Sequence, residues 1–118
     1  MYKHYSITPK ECMNVFNNGT ITGFNWKIIC PYFQNIFLHE IRMLHVRVDN
    51  LEFTEDDITL SIGRNVFSVD DVDSKNAFLW QVGEKATLFI PYKKNIKYGF
   101  HTIEVGIDIK HQLLMNVQ

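Results

Sequence analysis

The sequence predicts an all-β fold, an antiparallel β-sandwich of immunoglobulin or fibronectin type III general form. Three observations predict it. Apolar and polar residues alternate with period two in several segments, turn-forming residues separate these segments, and no stretch of the sequence carries a convincing apolar stripe at helical spacing. The pattern predicts roughly seven to nine short strands, and an open barrel is the alternative arrangement.

The predicted strands are rich in β-branched and aromatic residues. Alternation is clearest in residues 101–111, where four β-branched side chains point one way: Ile103, Val105, Ile107 and Ile109. In chain order the predicted strands are residues 12–16, 24–29, 44–48, 58–62, 66–69, 78–80, 86–90 and 101–111.

Turn signals lie between these strands. Asn17-Asn18-Gly19 suits a tight hairpin because Asn and Gly tolerate positive φ. Gly63-Arg64-Asn65, Gly83-Glu84-Lys85 and Tyr98-Gly99 are similar loop tips. Residues 68–72 favour one helical turn. Ser68 can cap its N-terminus, and the acidic residues that follow lie at the positive end of the helix dipole.

Length and composition indicate one domain over residues 1–118. A chain of 118 residues can enclose a two-layer core, and 46% hydrophobic residues exclude disorder. The formal net charge of -1 provides no general field for phosphate backbones or anionic membranes. We therefore expect neither nucleic acid nor a membrane as a partner.

The N-terminal residues and the cysteines predict a cytoplasmic protein. Residues 1–5 lead into polar residues rather than the apolar core of a signal peptide, and no transmembrane run follows. Without a secretory signal, Cys12 and Cys30 are expected to be reduced thiols, with Cys30 a small buried hydrophobe.

The sequence shows no complete catalytic or metal-binding set. The five histidines, His4, His39, His45, His101 and His111, include no pair at zinc-ligand spacing. Glu55-Asp56-Asp57 lacks the calcium-loop pattern, and Thr54 followed by acids indicates a capped turn instead. No nucleophile elbow or phosphate loop is present. We therefore predict no catalytic residue, metal ligand or cofactor site on this chain.

Aromatic residues are abundant, at 14% of the chain, and a domain of this size leaves some of them exposed. Pro31 ends strand pairing, and several large apolar residues follow it in a predicted loop. Tyr32, Phe33, Phe37 and Trp80 are our candidate partner-binding residues. The alternative is that such rings close one end of the core.

A series of short motifs runs along the chain. The motifs are Thr22-Gly23-Phe24, Pro31-Tyr32-Phe33, Val46-Arg47-Val48-Asp49, Phe53 to Ile58, Phe67 to Val72, Trp80 with Gly83 to Leu88, and Gly99-Phe100-His101. Their order resembles the small β subunit of bacterial C-glycoside deglycosidases over almost the whole chain after about residue 10. The family often continues Pro31-Tyr32-Phe33 with Arg-Gly, where Gln34-Asn35 stand here.

This resemblance implies a non-catalytic accessory subunit of a heteromeric carbon-carbon lyase. A larger TIM-barrel α subunit would carry a divalent metal, manganese above all. It would cleave the bond between a 3-oxo sugar and an aromatic, flavonoid-type aglycone by β-elimination. The β subunit would support the α subunit or shape the rim of its active site.

Two other classes of function stay open. The chain could be a free-standing carbohydrate-binding or protein-interaction module whose exposed rings stack on sugars. It could also be a cytoplasmic enzyme whose histidines and carboxylates meet only in three dimensions.

Overall fold

A computed structural model describes residues 2–68 and 78–110. In these residues the fold is all-β with antiparallel strand pairs, as the sequence predicts. The strands are β1 (Tyr2–Ile7), β2 (Cys12–Asn17), β3 (Thr20–Ile29), β4 (Ile36–Phe37), β5 (Ile41–Val48), β6 (Leu51–Phe53), β7 (Thr59–Ile62), β8 (Asn65–Ser68), β9 (Leu79–Trp80), β10 (Lys85–Ile90) and β11 (Ile103–Ile109).

The strands form one four-stranded, one five-stranded and one two-stranded sheet. The four-stranded sheet has the order β1-β11-β5-β6, and the five-stranded sheet has the order β2-β3-β10-β7-β8. Strands β4 and β9 pair with each other. Two single-turn 3-10 helices, Pro9–Glu11 and Leu38–Glu40, precede β2 and β5.

Both larger sheets contribute to one hydrophobic core. Strand β11 supplies Val105 and Ile107 from one sheet, while β3 supplies Phe24 and Trp26 from the other. The rings of Tyr5 on β1 and Trp26 on β3 lie 5.7 Å apart, which joins the two layers directly. Alternate residues of each strand face this core because successive side chains of a strand point to opposite faces.

The strand order differs from that of an immunoglobulin domain, in which the last two strands share a sheet. Here β10 lies in the five-stranded sheet and β11 in the four-stranded sheet. The general two-layer form therefore agrees with the immunoglobulin comparison, but the order of connections does not.

Most predicted strands lie within one to three residues of the observed ones. The hairpin at Asn17-Asn18-Gly19 is confirmed, with φ of 53° at Asn18 and 79° at Gly19, as a type I′ turn requires. Strands β1, β4 and β6 were not predicted. The predicted helical turn at 68–72 lies largely outside the described residues, which place Ser68 in β8.

Candidate functional site

The four predicted partner-binding residues divide into two buried and two exposed side chains. Trp80 is fully buried, and its indole N–H donates to the carbonyl of Glu84 at 2.9 Å. Tyr32 is also buried, and its hydroxyl donates to the carbonyl of Ile107 at 3.4 Å. These two rings belong to the core, as the alternative interpretation had it, and their faces are not available to a partner.

Phe33 and Phe37 are the two predicted residues that lie at the surface. The side chain of Phe33 is 98% exposed, and that of Phe37 is 40% exposed. The ammonium of Lys3 lies 5.9 Å from the ring centroids of both Tyr32 and Phe33, within cation–π range. The ring of Phe37 stacks on His39 at 5.5 Å. We define Phe33, Phe37 and their loop as the 33–37 loop.

His39 and Glu40 lie in the 3-10 helix Leu38–Glu40. The carboxylate of Glu40 caps this helix, because it accepts a hydrogen bond from the backbone N–H of Phe37 at 2.8 Å. Joint metal binding by these two residues therefore finds no support in their positions.

A second cluster, not found from the sequence, centres on Asp49 and His101. The imidazole Nδ1 of His101 lies 2.8 Å from the carboxylate of Asp49, and Nε2 lies 2.7 Å from the carbonyl of Tyr98. Asp49 also accepts the backbone N–H of Thr102 at 3.0 Å. The bond to Asp49 raises the pKa of His101, and the same bond lowers the pKa of Asp49. The cluster closes the loop between β10 and β11.

A shallow cavity of about 280 Å³ lies beside this cluster. Tyr92, which meets the His101 ring edge-on at 6.0 Å, forms part of its wall. Two largely exposed rings, Tyr98 and Phe100, precede His101 in the sequence. The cavity is lined by Leu51, Glu52, Phe53, Pro91, Tyr92, Lys93 and Lys94.

The sequence feature that marks this end of the sandwich is the Tyr98-Gly99 turn, in which Gly99 adopts a φ of 81°. Sequence reasoning used the turn only as a strand boundary. Two large rings beside a turn glycine are a second signal, because a turn lifts its neighbours away from the sheets.

The acidic segment that follows β6 is a capped turn, as predicted. Asp56 donates its backbone N–H to the hydroxyl of Thr54 at 3.3 Å, and Thr54 donates its own to the carboxylate of Asp57 at 3.1 Å. The carboxylate of Asp57 and the hydroxyl of Thr54 thus accept the backbone N–H groups of the turn.

Both cysteines are buried and free, which agrees with their predicted state. Burial raises the pKa of the Cys12 thiol to about 12, and it also raises that of Cys30. Such thiols are not poised to act as nucleophiles at neutral pH.

Within residues 2–68 and 78–110, no group of three or more His, Cys, Asp or Glu side chains could hold a metal ion. Histidines 4, 45 and 101 instead pair singly with Glu104, Glu52 and Asp49. His111 lies outside the described residues.

No helix in the described part of the chain is both long and apolar enough to cross a membrane.

Comparison with known proteins identifies relatives of this chain. The chain is similar to a C-glycoside deglycosidase beta subunit from Eubacterium cellulosolvens, at 28% identity over 89 residues. That alignment covers 75% of this chain and 60% of the relative, so the chain spans less than two thirds of the relative's length. The model of the family described as C-glycoside deglycosidase beta subunit matches residues 2–112. Since this match covers nearly the whole chain, the protein belongs to the C-glycoside deglycosidase beta subunit family.

Proposed function

We propose that this chain is the small accessory subunit of a heteromeric C-glycoside deglycosidase. The observation that carries the proposal is the family match over residues 2–112. A beta subunit by name implies a partner, and we propose a larger α subunit with a TIM-barrel fold. The complex would act in the cytoplasm, where the buried thiols of Cys12 and Cys30 would stay reduced.

The proposed reaction is a β-elimination on an aromatic, flavonoid-type C-glycoside whose sugar is already oxidised to a ketone at C3. The ketone acidifies the C2 proton, which a base of the α subunit removes. The electron pair forms a C1–C2 double bond while the bond from C1 to the aglycone carbon breaks, and that carbon takes up a proton. A divalent metal such as manganese in the α subunit would stabilise the developing enediolate charge.

The described residues of this chain do not fit a metal site, since no cluster of three donor side chains is present among them. The proposal therefore assigns the metal and the catalytic base to the α subunit. This chain would contribute contacts to the α subunit, which would stabilise that subunit or shape the rim of its active site.

The test is reconstitution with a candidate α subunit, sought first in the reading frames next to the gene for this chain. Each subunit is expressed separately, and release of aglycone from a 3-oxo-C-glycoside is followed by chromatography with manganese present. We expect no turnover by this chain alone and full turnover only when both subunits are mixed. Turnover by this chain alone would contradict the assignment of chemistry to the partner, and full activity of the isolated α subunit would contradict an accessory role.

A free-standing carbohydrate-binding module is the second candidate, and the exposed rings of Tyr98 and Phe100 are the observation that favours it. Stacking on sugars would perturb the NMR signals of these rings on titration with monosaccharides and oligosaccharides. Binding by this chain alone, together with failure to bind the α subunit, would select this candidate.

A further inference from the structure

The outward faces of the two large sheets differ in charge. On the four-stranded sheet, outward charged side chains are paired across strands: Arg47 lies 2.6 Å from Glu104, and His45 lies 2.7 Å from Glu52. Exposed pairs of this kind keep most of their hydration and contribute little to stability. A face covered by them is well suited to remain in water.

The outward face of the five-stranded sheet contains no carboxylate in its strands, and we call it the acid-free face. Its members alternate with the buried residues of the same strands, such as Trp26 on β3 and Leu88 on β10. They are Met13, Val15, Gly23, Asn25, Lys27, Ile29, Thr59, Ser61, Val66, Ser68, Lys85, Thr87 and Phe89.

Large apolar side chains stand exposed on this face. Met13 is 67% exposed, Val66 is 66% exposed and Ile29 is 52% exposed. The core of a protein–protein interface is depleted in Asp and Glu and enriched in Met and aromatic residues. This face has no Asp or Glu in its strands, and it carries Met13 and Phe89. Five strands of about six residues each give the face an area of roughly 400 Å², with Met13 on the edge strand β2 and Val66 on the opposite edge strand β8.

The middle of the acid-free face is polar and carries one positive charge, that of Lys27. Thr87 lies on the central strand β10, with Lys27 and Ser61 as its register neighbours on β3 and β7. Within the described residues, the side chains of these three make no hydrogen bond to another side chain. They remain available to groups of a partner.

Charge on this face indicates what kind of partner fits. Within its five described strands, the ionised side chains on this face are Lys27 and Lys85, both exposed. In a two-fold contact between copies of this chain the face would meet itself, and neither lysine would find a carboxylate. A different chain that presents apolar side chains bordered by Asp or Glu satisfies both the apolar surface and the lysines.

We propose that the acid-free face is where the α subunit of the proposed complex docks, through an apolar surface bordered by carboxylates. This inference rests on the proposed function.

The test compares the same new side chain on opposite faces. Thr87→Arg places a long cation at the centre of the acid-free face, and Ser6→Arg places one on the four-stranded sheet beside Glu104. Affinity for the purified α subunit is measured by calorimetry, with thermal unfolding of each variant as a check of folding. We expect Thr87→Arg to weaken binding at least tenfold and Ser6→Arg to change it less than twofold.

A second pair of variants tests the charge and does not depend on Thr87. Lys27→Glu reverses a charge on the face, and Lys10→Glu reverses an exposed charge in the 3-10 helix Pro9–Glu11. We expect Lys27→Glu to weaken binding at least fivefold and Lys10→Glu to leave it unchanged.

The outcomes separate this inference from the proposed function. Failure of the wild-type chain to bind the α subunit would overturn both. Binding that survives Thr87→Arg and Lys27→Glu would overturn the docking of the α subunit on the acid-free face, but not the proposed function. The same holds if Ser6→Arg weakens binding as much as Thr87→Arg does. A dimer of this chain that Thr87→Arg dissociates, seen by light scattering, would replace the α subunit with a second copy as the occupant.

Discussion

The ring of Phe89 lies against Gly23 on the neighbouring strand, in the space that a β-carbon would occupy. A β-carbon built on Gly23 would lie 2.6 Å from Cζ of Phe89, and it would also clash with the carbonyl oxygen of Ile90. The second contact is with backbone in a paired strand, which cannot move aside. Glycine at this position therefore permits β3 and β10 to pair with the Phe89 ring between them.

We expect Gly23→Ala to lower the free energy of unfolding by about 2 kcal/mol or more, since overpacking of a fitted site costs about 1–3 kcal/mol. Chemical denaturation gives the value. Gly106→Ala is the matched control, because a β-carbon there meets only the end of the Tyr2 side chain, which is 52% exposed and can move. Equal losses for the two variants would show that strand glycine, and not the contact, sets the cost.

The pair of Asp49 and His101 predicts a dependence of stability on pH. The pKa of His101 is raised in the folded protein, so this side chain contributes its full stability below pH 6.5, the ordinary pKa of histidine. The contribution is lost as the pH rises through the raised pKa. The pKa of Asp49 is lowered in the folded protein, so this side chain contributes its full stability above pH 3.8, the ordinary pKa of aspartate. The contribution is lost as the pH falls through the lowered pKa. The pair is therefore strongest between about pH 4 and 6.5.

Asp49→Asn should lower the melting temperature more at pH 5.5 than at pH 8.5, as measured by circular dichroism. The effect should stay below about 1 kcal/mol, because the Asp49 side chain is 41% exposed and solvent screens the pair. Asn tolerates the φ of 55° at this position, so the turn is preserved. A loss that is larger at pH 8.5 would contradict the assigned protonation states.

Aromatic residues of the predicted binding set should separate by their effect on stability. Trp80→Ala should cost about 3–5 kcal/mol because it empties a fully buried site. Phe33→Ala, at a side chain that is 98% exposed, should change stability by less than about 0.5 kcal/mol. Thermal unfolding of both variants is the measurement, and a comparable loss for Phe33→Ala would contradict its surface position.

The double variant Phe33→Ala with Phe37→Ala should weaken binding to the α subunit while the melting temperature stays within a few degrees. This keeps the prediction that the 33–37 loop binds a partner, and it removes Tyr32 and Trp80 from the test because both are buried. Unchanged affinity would limit the interface to the acid-free face.

The two thiols should be unreactive in the folded protein. Burial raises the pKa of Cys12 to about 12, so almost none of it is thiolate at pH 8. Titration with a disulfide reagent should release no signal before unfolding and two equivalents after addition of denaturant. Fast labelling of either cysteine in the native protein would contradict its burial.

Strands with apolar residues on one face could be predicted because their own sequence shows the alternation. Strand β11 is an example, with Ile103, Val105 and Ile107 all facing the core. Strand β1 was missed because its inward side chains include Lys3 and Tyr5 as well as Ile7, which weakens the period-two signal. Its pairing with β11 at the far end of the chain is what makes it a strand, and local sequence does not contain that pairing.

The candidate site was less predictable than the fold. Tyr32 and Phe33 are adjacent, yet one is 5% and the other 98% exposed. A loop after proline has no period from which to assign a face, so the sequence could not distinguish a core ring from a surface ring. The pairing of Asp49 with His101 was missed for a related reason, since their contact depends on how two distant loops meet at one end of the sheets.

The pairing of β1 with β11 also bears on how the chain reaches this structure. Because β11 lies between β1 and β5, the four-stranded sheet cannot assemble until Ile103–Ile109 have been synthesised. Contacts between distant segments form slowly, so a nascent chain spends time with unpaired strand edges, the condition that leads to aggregation. Production of this domain should accordingly improve at low temperature, because cooling weakens the hydrophobic association of exposed strands.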